Sequence, residues 1–316
     1  QEGHTIHETA EDAEAETHRM LNVYKKFFEE YLAIPVLTGK KTEKEKFAGA
    51  EYTLSLEALM YDGVSLQSAT SHYFGQKFAK AFDVKFVDRE NKLQYVYQTS
   101  WGTTTRMIGA LIMVHGDDNG LVLPPKIAPK QVVIASIRNN DEVSKVIDQI
   151  NEELAKEGIR ILVDKSDKSA GFKFAEYEMK GIPVRIEVGP RDIANGKVVV
   201  ARRDTSLKEE VNIADIAQYV KNLLLDIQQS MYNKALKHTQ ERTYTCTNLE
   251  QVKEIMNTKP GFIKAMWCGD PECEAKMKEI RGMKSRCIPF EEEHICDECI
   301  VCGKKAKHMV YWGIQY

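Results

Sequence analysis

Leu123-Pro124-Pro125-Lys126-Ile127-Ala128-Pro129, followed by Gln131-Val132-Val133-Ile134-Ala135-Ser136-Ile137, decides how the chain is divided and what class its best-patterned part belongs to. Three prolines so close together break helices and strand ladders, which predicts a domain boundary. Behind it, 132–137 reads as an apolar strand. Asn140-Asp141 then caps a helix with Val143, Val146, Ile147, Ile150 and Leu154 on one face, stopped by Gly158. A second strand is expected at 159–163 and two more at 183–188 and 197–201. A helix over 211–239 follows, striped by Ile213, Ile216, Ala217, Val220, Leu223, Leu224, Ile227 and Met231. Strands alternating with helices in this way predict a compact α/β domain.

Upstream, Thr5 and Glu8 have capping-box spacing. Met20, Leu21, Tyr24, Phe27, Phe28, Tyr31 and Leu32 recur at helical intervals, so one amphipathic helix is expected over 7–33, ended before Pro35. The dense charge run Gly39-Lys40-Lys41-Thr42-Glu43-Lys44-Glu45-Lys46-Phe47 reads by composition as a solvated loop. Gln67-Ser68-Ala69-Thr70-Ser71-His72 reads as a ligand loop, or His72 as a hydrogen-bonded core histidine. Residues 93–99 alternate like a strand, and 107–114 is a buried apolar segment that periodicity alone leaves as strand or helix. Between them, Thr99-Ser100-Trp101-Gly102-Thr103-Thr104-Thr105-Arg106 combines small hydroxylated residues with one arginine. That suits a phosphate cradle with a guanidinium clamp, or a turn with an exposed arginine.

The 316 residues allow about two domains. With 44 basic against 47 acidic residues the chain is no polycation, which leaves a local nucleic-acid surface open. The longest apolar run is far too short to span a bilayer and no secretory leader opens the sequence, so a cytoplasmic protein is expected, not a membrane one. The start at Gln1-Glu2-Gly3-His4-Thr5, with no initiator Met, reads as the inside of a longer protein. Six of the seven cysteines fall after residue 267, a pattern of reduced thiols around metal. Cys268 with Cys273 (C-x4-C) and Cys299 with Cys302 (C-x2-C) can supply four tetrahedral thiolates to structural zinc. Cys296 is a rival for Cys299, which is preferred because Gly303 suits a tight turn after Cys302. Cys287 reads as core.

These stretches, in order, resemble class II prolyl-tRNA synthetase. The motifs that carry the resemblance are Gln1-Glu2-Gly3-His4-Thr5, the run 41–49, Thr70-Ser71-His72, and Thr99-Ser100-Trp101-Gly102 with Thr105-Arg106. His115-Gly116-Asp117-Asp118, Gly120–Pro125 and Gly181–Asp192 extend it toward the C-terminus. The Cys-rich end and the lack of an inserted editing domain resemble the archaeal and eukaryotic-type branch. The resemblance implies an α/β and α+β multidomain protein. Its parts are the C-terminal portion of an antiparallel catalytic sheet with helices (1–125), an α/β anticodon-binding domain (126–235) and a small zinc-binding α+β domain (236–316).

It further implies that Mg-ATP and L-proline form prolyl-adenylate and that the prolyl group passes to tRNA(Pro). Glu2, His4 and His72 match proline-pocket positions. Gln67, Thr70, Thr104 and Thr105 match ATP positions, and Arg106 matches the motif 3 arginine that holds the γ-phosphate. Glu178, Arg185 and Lys208 match readers of anticodon guanines, and Cys268, Cys273, Cys299 and Cys302 match zinc ligands. The terminal tyrosine of the family can approach the active site, which singles out Tyr316. The dimer-forming motif 1 and the motif 2 arginine of the family should precede Gln1. The polypeptide alone is therefore expected to be inactive and poorly folded before about residue 120, with a homodimer formed by the longer protein. A non-catalytic tRNA-binding paralogue and a zinc-dependent scaffold are the competing readings.

Overall fold

A computed structural model describes residues 1–316. The chain runs β1 (Glu2–His7), α1 (Ala10–Lys26), a π-helical turn (Phe27–Tyr31), β2 (Leu37–Lys40), β3 (Tyr52–Leu59), β4 (Ser65–Gly75), α2 (Lys77–Phe82), β5 (Lys85–Val87), β6 (Leu93–Tyr95), β7 (Tyr97–Thr103) and α3 (Arg106–His115). Next come β8 (Val132–Ser136), α4 (Asp141–Lys156), β9 (Ile161–Asp164), α5 (Ala170–Met179), β10 (Val184–Val188), α6 (Pro190–Ala194), β11 (Lys197–Arg202), β12 (Lys208–Asn212) and α7 (Ile216–Glu241). The end is β13 (Thr243–Thr245), α8 (Leu249–Thr258), β14 (Phe262–Trp267), α9 (Pro271–Lys278), β15 (Lys284–Pro289) and β16 (His308–Gly313). Two compact units result: Gln1–Glu30 with Ile34–Ala110 and Leu236–Tyr316, and Tyr31–Ala33 with Leu111–Ala235.

The first unit is built on a nine-stranded sheet in the order β1-β7-β4-β3-β2-β15-β16-β14-β13. Helix α1 buries Ala13, Thr17, Leu21 and Tyr24, a stripe at three- and four-residue spacing. Its Thr17 carbonyl accepts from Ser71 Oγ on β4 at 2.8 Å. The helix is shorter than the expected 7–33. Residues 2–7 pair with 97–102 instead, so Thr5 sits in a strand, and Thr9 is the cap, its Oγ1 accepting from Asp12 N at 3.2 Å. Strand β1 alternates in burial, but its residues are mostly polar on both faces, which hides the period of two from a hydrophobicity reading. The alternating run 93–99 divides at Val96 into β6 and β7, which join different sheets. Residues 107–114 are helical, within α3. Residues 236–316, expected as a domain of their own, continue the sheet of 1–110, because Ile288 and Pro289 pair with Lys40 and Gly39.

The second unit has a five-stranded sheet, β12-β11-β10-β8-β9, with β8 parallel to both β9 and β10. One face of β8 and β10 (Val132, Ile134, Val184, Ile186, Val188) meets Val143, Ile147, Ile150 and Leu154 of α4 and Ile216, Val220, Leu224 and Ile227 of α7. Val133, Tyr177 and Ile182 pack together as a second cluster. This is the α/β arrangement expected after residue 130, although Val122 already belongs to the first of these clusters and the unit begins before the proline-rich stretch. Helix α7 starts at Ile216, later than the expected 211, because 208–212 form the edge strand β12 on β11.

Candidate functional site

Gln67–His72, read as a loop, is the middle of β4, hydrogen-bonded to β3 on one side and β7 on the other. Its polarity reflects a cavity rather than a loop. Register builds rows of side chains across the sheet: Glu2 stands opposite Gly102 and Thr70 follows it, while His4, Ser100, His72 and Thr53 form the next row. Gly102 and Ser100 leave the lane between β1 and β4 open. On the other face Trp101 lies where a Cβ on Gly3 would come within 2.4 Å of its ring, so glycine is required at that position.

These rows, the turn at Phe47 and the start of α3 enclose a cavity of about 230 Å³ lined by Glu2, His4, Gln67, Thr70, His72, Thr104 and Arg106 among others. Thr105 lies on the same exposed turn but outside the lining. Arg106 opens α3, its backbone N–H donating to Thr104 Oγ1 at 3.2 Å, and its side chain is exposed at the rim. His72 is 9% exposed, and burial lowers its pKa to about 4, so the ring is neutral near pH 7. Thr53 Oγ1 accepts from Phe47 N at 2.9 Å and lies 2.9 Å from His72 Nδ1. Donating its own hydroxyl to Nδ1 satisfies every group, which leaves Nε2–H, 3.0 Å from Thr70 Oγ1, as a donor. Phe47, its ring 4.8 Å from that of His72, is a lining residue the sequence reading missed. Its position at the end of the charge run, as the one aromatic there, was the available signal.

Tyr316 lies outside this lining: its N–H donates to the Ser65 carbonyl at 3.2 Å and its hydroxyl to Asp62. The charge run is only partly solvated. Lys41 is 3% exposed and its Nζ meets Glu57 Oε1 at 2.7 Å, because it directly follows β2, which lies between β3 and β15 inside the sheet.

In the second unit, Glu178, Arg185 and Lys208 line a smaller cavity, with Arg203 beside them. Glu178 lies in the last turn of α5, a helix absent from the sequence reading. Arg185 reaches Glu178 Oε1 at 3.0 Å and lies 4.0 Å from the Phe174 ring centroid. Glu187 is the centre of the group: its Oε1 accepts from Arg185 Nε (3.1 Å) and Nη2 (3.0 Å) and from Lys208 Nζ (2.7 Å). Sequence reasoning missed Glu187. The signal was the alternation Val184-Arg185-Ile186-Glu187-Val188, which puts both charges on the face opposite the core.

The third site is Cys268, Cys273, Cys299 and Cys302, whose sulfurs all lie within 4.8 Å of one another. Cys268 Sγ is 3.7 Å from both Cys273 Sγ and Cys302 Sγ. Tetrahedral Zn–S bonds of about 2.3 Å separate sulfurs by about 3.8 Å, so the thiol set fits zinc. Gly303, at φ +69°, turns the chain so that its N–H reaches the Cys299 carbonyl at 2.9 Å. Cys296 points elsewhere, to the Glu298 carbonyl at 3.4 Å. Cys287 is fully buried. No helix is long and apolar enough to cross a membrane.

Comparison with known proteins adds two family models and a set of relatives. A model described as "Prolyl-tRNA synthetase, C-terminal" matches residues 249–316, and one described as "Anticodon binding domain" matches 131–223. Proline–tRNA ligase 2 of Bacillus cereus is 56% identical over 318 residues, spanning 100% of this chain and 66% of that protein. Proline–tRNA ligase of Clostridium novyi is 57% identical over 317 residues, again 100% of this chain and 66% of the relative. The corresponding protein of Lachnospira eligens is 55% identical with the same coverage, 100% and 66%. The chain thus spans 66% of the length of these relatives.

Proposed function

We infer that this chain, which belongs to the prolyl-tRNA synthetase family, is the part of a proline–tRNA ligase that carries the proline pocket, the triphosphate arginine and the anticodon reader. A carboxylate oxygen of L-proline attacks the α-phosphorus of Mg-ATP, the bond to the bridging oxygen breaks, and pyrophosphate leaves. A ribose hydroxyl of tRNA(Pro) then attacks the prolyl carbonyl and AMP departs. Neither step uses a protein nucleophile, so the protein's task is to position groups and stabilise charge.

The carrying observation is that side chains from three separated stretches, 2–4, 67–72 and 104–106, line one cavity. Glu2 offers a carboxylate to the ammonium of proline. Neutral His72 and the Phe47 ring suit an apolar five-membered ring, and His4 completes that end. Gln67, Thr70, Thr104 and Thr105 serve the nucleotide, and Arg106 at the rim takes the γ-phosphate as its catalytic cation. In the second unit, Glu178 accepts from a guanine Watson–Crick edge while Arg185 and Lys208 donate. Cys268, Cys273, Cys299 and Cys302 hold zinc, whose chemistry is to cross-link two loops.

We keep 1–125, 126–235 and 236–316 as the functional division, in a cytoplasmic homodimer of the archaeal and eukaryotic-type architecture; the relatives named above are bacterial. The test is proline-dependent ATP–pyrophosphate exchange by the protein at the length of its relatives. Exchange that falls at least a hundredfold in Arg106→Ala is expected. Retained tRNA binding without exchange overturns the catalytic reading in favour of a tRNA-binding paralogue.

A further inference from the structure

We propose that Glu274 is a positioning residue that ties the turn bearing Phe47 to the cysteine centre, so that metal binding there sets the order of one wall of the cavity. Glu274 is 4% exposed and directly follows Cys273 in α9. Its Oε1 accepts from Ser285 Oγ at 2.5 Å and from Thr42 Oγ1 at 2.8 Å. Thr42 is 2% exposed, at the base of the charge run.

From Thr42 the turn builds itself. The Thr42 carbonyl accepts from Glu45 N at 3.1 Å and Lys46 N at 2.9 Å. The turn closes where Phe47 N donates to Thr53 Oγ1 at 2.9 Å, the hydroxyl that also faces His72 Nδ1. A second link runs from Lys284 on β15 to Glu45 at 3.5 Å. Removing the Glu274 carboxylate leaves the buried Thr42 and Ser285 hydroxyls, 3.2 Å apart, only each other, so at least one loses its acceptor and Thr42 loses its contact with α9. A metal on Cys273 pins the first turn of α9, an eight-residue helix, and Glu274 with it. The order of the turn then depends on the metal through a single carboxylate.

The coupling rests on the cysteine centre binding zinc, and on the proline-pocket reading only where proline affinity is measured. The experiment is amide hydrogen exchange at Glu45, Lys46 and Phe47 in the protein at the length of its relatives, loaded with zinc or stripped by chelator. It is repeated in Glu274→Ala, Glu274→Gln and Thr42→Val. Exchange at these amides should rise about tenfold in Glu274→Ala, in Thr42→Val and on stripping, and less in Glu274→Gln, whose amide oxygen still accepts. Thr42→Val should keep stoichiometric zinc while KM for proline rises several-fold and kcat changes less. If Glu274→Ala does not fold, Thr42→Val decides, since it leaves the cysteine module untouched. Unchanged exchange at 45–47 in zinc-loaded Thr42→Val, or on stripping, overturns the proposal. Raised exchange with no proline-dependent pyrophosphate exchange in any form would leave the coupling standing and sink the functional reading instead.

Discussion

His72 carries its consequence in its own ionisation. The unfolded chain takes up its proton near 6.5 and the folded one only near 4, so between those values the unfolded state binds more protons. Stability of the first unit should therefore be highest above pH 6.5 and fall as pH drops toward 4, by at most about 1.4 kcal/mol per pH unit from this group. Urea unfolding at several pH values, comparing the protein with His72→Gln, checks this; an equally steep slope in the variant would refute the assignment. At the cysteine centre the residue-level question is which thiols bind. Cys299→Ser should lose zinc by atomic absorption and Cys296→Ser should keep it, because the Cys299 sulfur lies in the tetrahedral group and the Cys296 sulfur lies outside it.

Strand β10 shows how one element holds two opposed chemistries. Val184, Ile186 and Val188 bury one face, and Arg185 and Glu187 on the other build the ion group proposed above to read guanine. Truncating one partner of a buried ion pair leaves the other unpaired. Glu187→Ala should cost the second unit about 3 kcal/mol and weaken tRNA(Pro) binding more than tenfold, with Glu187→Gln intermediate. Filter binding and chemical unfolding on the same variants test it, and tRNA affinity unchanged in Glu187→Ala would remove Glu187 from the reader.

The same element marks what could be read in advance. The apolar residues of β10, α4 and α7 have clean periods and β8 is a continuous apolar run, and the α/β class after residue 130 follows from them. Strands β1 and β4 do not, because their outward residues serve a cavity: Glu2, His4, Gln67, Thr70 and His72 are polar where a strand signal needs contrast. Those positions became legible through motif resemblance, whereas Phe47 on its turn in the first unit and Glu187 on β10 in the second, which meet their partners only in the fold, did not. The four cysteines were legible because a tetrahedral thiol set constrains spacing as well as residue type.

At the scale of the molecule, the first unit depends on a buried ion cluster where sequence-distant halves of its sheet meet. Glu57 of β3 is fully buried between Lys41 Nζ at 2.7 Å and Arg286 of β15, whose Nη2 lies 2.6 Å from Glu57 Oε2. Burial pushes the Glu57 carboxyl upward, but Lys41 and Arg286 outweigh it and hold the pKa below the usual value. Arg286 also donates to Gln315, so residues from 41, 57, 286 and 315 share one network. The strand contact across this seam is short, two paired residues on each side, so the ions add to it together with the Thr42–Glu274 and Tyr316–Ser65 hydrogen bonds. Arg286→Ala should therefore destabilise the first unit by about 1–3 kcal/mol, since Glu57 keeps Lys41 but loses the hydrogen bonds from Arg286. Trp101, Trp267 and Trp312, the chain's three tryptophans, all lie in that unit, so fluorescence reports its unfolding selectively. A lowered urea midpoint by tryptophan fluorescence is expected in Arg286→Ala, with substantial recovery when Lys41→Met, Glu57→Gln and Arg286→Met are combined, because no uncompensated charge then remains. An unshifted tryptophan midpoint in Arg286→Ala would mean that the Arg286 guanidinium does not hold the seam.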